Sequence, residues 1–486
     1  MASFVLLISI FMPIIMTFIM RQFPLKKNIK KIGYLLVAIF TTIFNFIVLF
    51  LIDDKEFVLI KISQSMKIGF MLDGLGKIFF ALVSFLWPFA MLYAIAYMEH
   101  DDFWEDYTMF YLMTYGVVVG ISCSSNLFTM FIFYELLTLI TLPLITHDNT
   151  IESRKAGRVY LYISLAGSAL AFMGLCYILT KTGSSNFVYG GLEGLNKGYG
   201  VELAYISMFF GFGVKAAIFP LHFWLPKAGA APTPTTALLH AVAVVKAGAF
   251  AIARCTYYLI DIDLLRNTRA QYIALVFSAF TILFGSIMAL RETHFKRRLA
   301  YSTISNISYI VFSLSTMNNI GLIAAMLHFV IHSISKICLF YCCGIFMHKA
   351  NVTYVEDCNG LYKEFKTEFI CFTISGLSLI GIPLFGGFIS KWYIAKAAIE
   401  SMNTLGYIGV GCLIISALLT AIYILTISFR IVLFDKKVTK EIEKKGKWNF
   451  GYTIPIIVMS ILSILLGIFS EPFINIMSNL LGGGII

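Results

Sequence analysis

The sequence predicts an all-α polytopic membrane protein with about fourteen transmembrane helices, and three observations support this fold class. First, 59% of the 486 residues are hydrophobic and only 13% are charged, whereas soluble domains carry roughly 25% charged residues. Second, the apolar residues fall into runs of about twenty, the length that a bilayer core requires. Third, lysine and arginine cluster in short connections between runs, as the positive-inside rule predicts for cytoplasmic loops.

The hydrophobic runs define the predicted spans and the loops between them. The first run has no basic region before it and no small-residue cleavage site after it, so we expect a retained helix rather than a signal peptide. Residues 55–70 alternate apolar and polar side chains, which predicts a short hairpin outside the membrane. Residues 181–200 are rich in glycine and predict a surface loop. The predicted spans lie near residues 3–20, 32–52, 73–98, 107–122, 125–146, 157–180, 203–225, 233–255, 272–290, 299–316, 320–347, 367–396, 405–434 and 450–477.

Basic residues predict the orientation of the chain in the membrane. With fourteen spans, the loops after spans one, five, nine and thirteen lie on one side, and their positive charge assigns that side to the cytoplasm. Both termini are then expected on the outer side. The basic residues of these loops are Arg21, Lys26, Lys27, Lys30, Lys31, Arg154, Lys155, Arg158, Arg291, Lys296, Arg297, Arg298, Lys436, Lys437, Lys440, Lys444, Lys445 and Lys447.

Charge and cysteine spacing disfavour several other classes of function. The net charge of +11 is carried largely by loops between spans, so we expect no nucleic-acid partner. The nine cysteines lie mostly in apolar runs, and none shows the C-x2-C spacing of a zinc or iron–sulfur site. We therefore expect no metal site, no bound cofactor and no redox centre in this chain.

The chain contains one apparent internal repeat. The segment VKAAIFPLHFW (214–224) is echoed by LIGIPLFGGFISKWYIAKA (379–397), and both are apolar, interrupted by proline and carry a lysine. They fall on spans seven and twelve, which predicts broken helices in two five-helix units that are inverted relative to each other. The predicted division of the chain is 1–106, 107–260, 261–435 and 436–486. Chance similarity between two short apolar segments is the alternative.

Residues 211–250 and span five carry the first predicted part of an ion pathway. Lysines and prolines interrupt apolar sequence here, and charged groups inside a membrane usually face the protein interior or a wet cavity. Glu135 is the only carboxylate of span five, so it either binds a proton or pairs with a cation. Lys215, in the middle of span seven, is its natural partner. The alternatives are a neutral structural glutamate and a static ion pair.

Three further spans carry the rest of the predicted pathway. His328, His332 and Lys336 follow one another at i, i+4 and i+8 on span eleven, which puts them on one helix face over about 12 Å. Histidine titrates near neutrality, so this stripe can pass protons, although isolated buried histidines are often structural. On span eight, Lys246 is the stronger candidate, and His240 could equally pack or cap. Lys391 follows the second proline-broken stretch.

Several other cations are weaker candidates or structural groups. His222 and Lys227 lie in the proline-rich segment after Lys215 and are the weaker pathway candidates. Lys77, Lys396 and Arg254 lie nearer to predicted span ends, so we expect them to extend to the membrane interface. Span ten carries a stripe of hydroxyl and amide side chains that can hold water. The residues of that stripe are Ser302, Thr303, Ser305, Asn306 and Ser308.

Together these residues resemble the antiporter-like membrane subunits shared by respiratory complex I, energy-converting membrane-bound hydrogenases and Mrp-type Na+/H+ antiporters. The resemblance covers roughly residues 70–430, in the same order as in the family. The motifs that carry it are FYELL around Glu135, VKAAIFPLHFWLPKAGAAPTP with Lys215, LLHAVAVVKAGAFAIAR with His240 and Lys246, KRRLAYSTISNISYI, HFVIHSISK, and GIPLFGGFISKW with Lys391.

The resemblance implies fourteen helices with inverted repeats and a proton route through the middle of the membrane. It implies that the pair of Glu135 and Lys215 gates transfer through Lys246 and the stripe to Lys391. It also implies partners: other membrane subunits, including further antiporter-like subunits, and peripheral redox subunits, in the plasma membrane of a prokaryote. The sequence departs from the family at Lys227 and Gly229, where relatives often carry Asp and His.

Three functional hypotheses follow from these observations. The leading one is a proton-translocating subunit of a multisubunit redox-driven pump, in which this chain has no redox centre of its own. The second is a Na+/H+ exchanger within an Mrp-type assembly. The third is a scaffold subunit that does not conduct ions. A stand-alone solute carrier is disfavoured, because nothing in the sequence resembles a pocket for an organic substrate.

Overall fold

The computed structural model describes residues 2–52, 54–433 and 449–482, and most of these residues are helical. The predicted basic loop after span thirteen lies outside the described residues. The loop residues to which this applies are Lys436, Lys437, Lys440, Lys444, Lys445 and Lys447.

The first half of the described chain begins with seven long helices and a short hairpin. Strands β1 (Phe57–Lys61) and β2 (Lys67–Phe70) pair antiparallel, which confirms the hairpin predicted for residues 55–70. The helices are α1 (Ala2–Gln22), α2 (Lys27–Leu51), α3 (Gly74–Tyr97), α4 (Trp104–Ser122), α5 (Leu127–Ile145), α6 (Ile151–Thr182) and α7 (Tyr199–Gly213).

Short elements follow α7, and long helices then resume. The short helices are α8 (Trp224–Lys227), α9 (Thr233–Ala237), α10 (Val244–Arg254) and α11 (Ile262–Leu265), with 3-10 turns at Leu221–Phe223 and Ala228–Ala230 and π-helical turns at Leu238–Val242 and Cys255–Leu259. The later helices are α12 (Arg269–Arg291), α13 (Phe295–Ser315), α14 (Asn319–Ala350), α15 (Lys366–Ile380), α16 (Gly386–Glu400), α17 (Thr404–Leu433), α18 (Phe450–Ile468) and α19 (Ser470–Leu480), with 3-10 turns at Val355–Cys358 and Leu361–Lys363.

Side chains at the helix starts explain several of these boundaries. A helix leaves its first backbone N–H groups without partners, and Asp, Asn or Thr at the N-cap can accept from one of them. Five long helices begin in this way. The N–H donors, acceptors and distances are Gly76 to Asp73 at 2.9 Å, Thr129 to Asn126 at 2.8 Å, Ser153 to Thr150 at 3.1 Å, Gly321 to Asn318 at 2.7 Å and Gly451 to Asn449 at 2.9 Å.

Burial separates the central helices from the peripheral ones. Ten helical runs in the described residues are long and apolar enough to cross a membrane by length and composition. The most apolar stretch of Thr233–Leu259 is 100% buried and that of α14 is 94% buried, against 28% for α1 and 33% for α2. The core is therefore formed by α14, which contacts α13, α15, α16 and α18, and by the run from α9 to α10.

The first helix interruption begins earlier than proline chemistry predicts. A proline disrupts the helical turn that precedes it, but α7 already ends at Gly213, well before Pro220. Ala217 has φ of 55°, a left-handed conformation that is strained for a residue with a Cβ. The predicted helix over 203–225 is thus correct as a broken span, but Lys215 lies in the turn rather than within a helix.

The second interruption agrees more closely with the sequence. The predicted span 367–396 divides into α15 and α16 on either side of Pro383. Gly381 closes α15 with φ of 90°, which a glycine adopts without steric cost, and Leu384 again has a positive φ, of 80°.

Two other spans are less regular than the sequence predicts. Span eight, expected as a plain helix over 233–255, contains π-helical turns at Leu238–Val242 and Cys255–Leu259. Such turns carry one extra residue and occur often at functional sites. Span fourteen, expected over 450–477, divides at Phe469 into α18 and α19.

Candidate functional site

Lys215 lies at the first break and contacts α5 rather than its own helix. Its side chain is fully buried. The ammonium donates a hydrogen bond to the backbone carbonyl of Tyr134 and lies 3.4 Å from the centroid of that ring. On the other side α10 approaches closely, because a methyl group on Gly248 would lie 2.4 Å from the backbone nitrogen of Ala216. Lys215 is therefore enclosed between α5 and α10.

Glu135 and Lys215 are neighbours through Tyr134, but their side chains form no ion pair in the described structure. The Glu135 carboxylate accepts a hydrogen bond from the Ser168 hydroxyl on α6, and Glu135 is only half-buried. The predicted pairing of Glu135 with Lys215 would need a shift of either side chain away from these partners.

Lys246 and the histidines of α14 form a continuous contact series. The Lys246 ammonium donates to the backbone carbonyl of Phe329 at 2.8 Å and lies 3.1 Å from Nδ1 of His332. The rings of His332 and His328 are 6.0 Å apart between centroids. Nδ1 of His328 lies 2.9 Å from the hydroxyl of Ser390 on α16. All these side chains are buried.

Lys391 completes the series at the second break. Its ammonium donates to the carbonyls of Leu379 and Ile380, at 2.8 and 2.9 Å. These are the last carbonyls of α15, which have no partner within their own helix, and a cation at this helix end is also favoured by the helix dipole. Lys391 follows Ser390 directly in the sequence, but consecutive helical side chains do not face each other, so Lys391 lies next to the end of the series without a contact to Ser390.

Tyr309 of α13 contacts both His328 and Lys391, although the sequence did not single it out. Its ring packs edge-on to His328, with centroids 5.5 Å apart, and the Lys391 ammonium lies 5.0 Å from its centroid. Its hydroxyl donates to Ser416 on α17 at 2.7 Å. No sequence pattern marks Tyr309, since only tertiary structure brings α13, α14 and α16 together.

The Ser416 hydroxyl belongs to a buried hydroxyl cluster. It lies 2.5 Å from Ser286 and 3.1 Å from Ser305, and those two are 2.8 Å apart. Ser305 was predicted as part of a water-holding stripe, whereas here it binds protein hydroxyls directly. Asn306 of the same stripe donates to the backbone of its own helix at Ser302.

Lys336 and His240 lie off the main series. The Lys336 ammonium donates to the Leu299 carbonyl at 2.9 Å and to the hydroxyl of Ser302. The Lys336 ammonium therefore binds near the start of α13 and not next to the histidines of α14. His240 is fully buried, its ring is 4.8 Å from that of Phe340, and neither ring nitrogen has a hydrogen-bond partner in the described residues. As expected, His240 and Lys246 contact different groups.

The weaker candidates lie elsewhere. His222 packs among aromatic rings, 5.6 Å from Phe219 and 4.7 Å from Phe284 between centroids. Lys227 is exposed, with its ammonium 5.6 Å from the centroid of the Phe223 ring. In the loop before α13, burial and the nearby Arg297 and Lys296 lower the pKa of His294.

Arg254 corrects one prediction. It was expected to extend to the membrane interface, but it is fully buried at the end of α10. Its guanidinium donates two hydrogen bonds to the Asp73 carboxylate, one of them 2.7 Å long, beside the rings of Phe187 and Tyr258. The carboxylate supplied by the loop before α3 explains why an arginine is tolerated there. By contrast, Lys77 pairs with Asp54 at 2.7 Å near the surface.

The titratable side chains of this site are lysines and histidines, which can donate protons and, when neutral, accept them. The described residues contain no group of three His, Cys, Asp or Glu side chains that could hold a metal ion, and the nine cysteines are free. In the site, Lys246 lies within hydrogen-bonding distance of His332, and both Lys246 and Lys391 donate to backbone carbonyls.

Membrane-length helices with broken segments and buried titratable side chains are typical of membrane ion transporters, and comparisons with known proteins identify the family. Residues 124–420 match the transmembrane family described as NADH:quinone oxidoreductase/Mrp antiporter. The chain belongs to this family and is an antiporter-like membrane subunit, which confirms the resemblance drawn from the motifs.

Individual relatives come from both branches of that family. The chain is 30% identical to NADH-quinone oxidoreductase subunit N of Desulforudis audaxviator, over 84% of this chain and 83% of the relative. It is 28% identical to antiporter subunit mnhA2 of Staphylococcus saprophyticus, matching 100% of this chain but only 63% of that longer relative.

Two solved structures share the fold. A chain of an archaeal membrane-bound sulfane sulfur reductase superposes with a TM-score of 0.82 at 23% identity, covering 98% of this chain and 95% of that one. A chain of the Mrp complex from Dietzia also gives a TM-score of 0.82, at 20% identity, covering 99% and 96%.

Proposed function

We propose that this chain moves protons across a prokaryotic plasma membrane as one subunit of a larger redox-driven complex. One observation carries the proposal: the buried side chains Lys246, His332, His328 and Ser390 contact one another in that order, and the series ends next to Lys391 at the second helix break. Titratable groups buried this deeply in a membrane protein are costly, and they usually mark an ion pathway.

Electrostatic repulsion limits how many protons the series can hold at one time. Two positive charges at the 3.1 Å separation of Lys246 and His332 would repel by about 5 kcal/mol at an effective dielectric constant of about 20. The pair therefore carries one positive charge rather than two, and this contact lets a proton exchange between Lys246 and His332. From His332 it moves through His328 towards Lys391, where water bridges the steps too long for direct transfer.

Lys215 provides the input to this series. It lies in a backbone turn between helices, and this turn carries a strained residue, Ala217, as often occurs at functional sites. A charge change at Glu135, next to the Tyr134 carbonyl that Lys215 binds, would alter the electrostatic potential at Lys215. We propose this as the gate, with Lys336 and His240 as a branch towards the cytoplasmic side.

The proposed topology follows from the same elements. Counting each broken run as one crossing gives fourteen spans, in two inverted five-helix repeats over 107–260 and 261–435, flanked by 1–106 and 436–486. Both termini lie outside. Other antiporter-like subunits and peripheral redox subunits are the proposed partners, together with membrane lipids.

The alternative function is Na+/H+ exchange within an Mrp-type assembly. The relatives named for Mrp antiporters favour it. The lysine-rich series argues for protons, because a sodium ion requires oxygen ligands and is repelled by ammonium groups.

Ion uptake by inverted membrane vesicles tests the proposal. With the native complex driven by its electron donor, we expect acidification that does not depend on sodium. His332→Asn should lower it about a hundredfold, as the loss of a positioned proton-transfer group does. His294→Asn, which changes a loop histidine, is the matched control. Uptake that requires sodium would favour the Mrp alternative, and unchanged uptake in His332→Asn would favour a scaffold subunit.

A further inference from the structure

A basic cavity lies beside the first turns of α6, away from the buried series. It has a volume of about 610 Å³ and is lined by Lys155 and Arg158 of α6, Lys227, and Arg297 of α13, with Glu152 as its carboxylate. A second cavity of about 650 Å³ lies on the other side of Arg158 and adds Arg154. The proton pathway proposed above uses neither cavity.

The positive charge of the first cavity is not neutralised within the described chain. Lys155, Arg158, Lys227 and Arg297 are all exposed. None of them forms an ion pair or a hydrogen bond with another described residue, although oppositely charged Glu152 lines the same cavity. Four cations around one carboxylate leave a net charge that an anion would satisfy.

The cavity is also amphipathic along the helix axis. Lys155 and Arg158 lie in the first two turns of α6, whereas Val159 and Tyr162 follow in the next turn, deeper by about 1.5 Å per residue. Tyr162 is 66% exposed, and tyrosine is enriched where membrane and water meet. The basic end therefore faces the headgroup region and the apolar end faces the acyl chains.

We propose that this cavity binds the headgroup of an anionic phospholipid, with the phosphate among Lys155, Arg158, Lys227 and Arg297 and the first acyl carbons against Val159 and Tyr162. A free phosphate would satisfy the charges but not the apolar end. The inference rests on the membrane orientation proposed above and does not depend on which ion the subunit moves.

The test measures lipid selectivity. The full-length chain, purified with the subunits that stay bound to it, is reconstituted in phosphatidylcholine with spin-labelled phosphatidylglycerol or phosphatidylcholine. Electron paramagnetic resonance then gives the relative association constant. We expect the native chain to prefer phosphatidylglycerol. The relative association constant should fall about fivefold for each charge removed, or about thirtyfold in Arg158→Gln/Arg297→Gln.

A charge-matched double variant separates the cavity from general surface charge. Lys181→Gln/Arg291→Gln removes two exposed cations that do not line the cavity and should keep the native preference. The proposal is overturned if both double variants lose preference equally, if neither does, or if excess inorganic phosphate displaces the lipid completely. Equal loss in both double variants would mean that the lipid is attracted by general surface charge. No loss in either would mean that the cavity is covered by another subunit or binds no lipid. Complete displacement by phosphate would mean that the cavity binds small anions.

Discussion

The two helix breaks both hold a lysine on backbone carbonyls, but they hold it in different ways. Lys391 binds Leu379 and Ile380, the end of the helix that precedes it in its own broken span. Lys215 binds Tyr134, which belongs to a separate helix, α5. Lys215 is fully buried, whereas Lys391 is partly exposed at the described surface.

This difference distinguishes a lysine that couples two helices from one that caps its own. A capping lysine stabilises α15 whether or not it ever releases a proton. A lysine that reaches across to α5, beside Glu135, links the charge of one helix to the geometry of another. The first break is therefore better suited to gating and the second to receiving protons.

The largest expected effect is at the coupling lysine. Lys215→Met keeps an unbranched apolar chain but removes the ammonium, so the proton has no entry group. Vesicle acidification should fall by about a hundredfold or more, as for the loss of a positioned proton-transfer group.

Lys181→Met is the matched control for Lys215→Met, because Lys181 is an exposed lysine on the last turn of α6. Lys181→Met should acidify vesicles at the native rate. If Lys215→Met does so as well, the first break is not the gate, and the proposed difference between the two breaks is wrong.

The next variant, Gly248→Ala, tests how tightly α10 packs against the first break. A methyl group on Gly248 would lie 2.4 Å from the backbone nitrogen of Ala216, so Gly248→Ala must push α10 away from Lys215. Overpacking of this kind costs about 1–3 kcal/mol, which we expect as a lower thermal unfolding temperature together with reduced acidification.

Gly411→Ala provides the control for Gly248→Ala. Gly411 also lies within a long helix, α17, but a methyl group there meets nothing within 4 Å. It should leave both measurements unchanged or slightly improve stability. Equal behaviour of the two variants would show that the close approach of α10 to the first break has no consequence.

Broken helices and buried cations could be predicted from the sequence because each leaves a local signal. Proline within apolar sequence marked the breaks near Pro220 and Pro383, and the spacing of His328, His332 and Lys336 marked one helix face. The exact end of α7 at Gly213 and the π-helical turns of span eight could not be predicted, since tertiary packing sets them. The pairing of Arg254 with Asp73 joins residues 181 positions apart, and no local pattern reveals it.

Substitution of Lys391, the lysine that caps α15, should cause a smaller loss of acidification and a separate loss of stability. Lys391→Met should lower acidification about tenfold and destabilise α15, equivalent to about one charge-assisted hydrogen bond. Lys391→Arg should restore thermal stability, because a guanidinium can still donate to the carbonyls of Leu379 and Ile380. It should not restore acidification, since arginine does not release its proton. Native acidification in Lys391→Arg would make Lys391 a structural cap only.

The smallest expected effect concerns the ring that joins His328 to Lys391. Tyr309→Phe keeps the ring but removes the hydroxyl that donates to Ser416 at 2.7 Å, and one such hydrogen bond contributes about 0.5–1.5 kcal/mol. We expect a slightly lower unfolding temperature and a fewfold slower acidification, because the ring is less firmly held between the imidazole and the ammonium.

Tyr205→Phe removes a comparable buried contact in the first half, where the Tyr205 hydroxyl lies 3.1 Å from that of Thr256. It should cost similar stability with no change in acidification, since Tyr205 contacts none of the series from Lys246 to Lys391. A parallel loss of transport in both variants would mean that Tyr309 acts only through stability. If acidification falls only in Tyr309→Phe, then Tyr309 positions His328 and Lys391 for proton transfer, and the second break does more than cap α15.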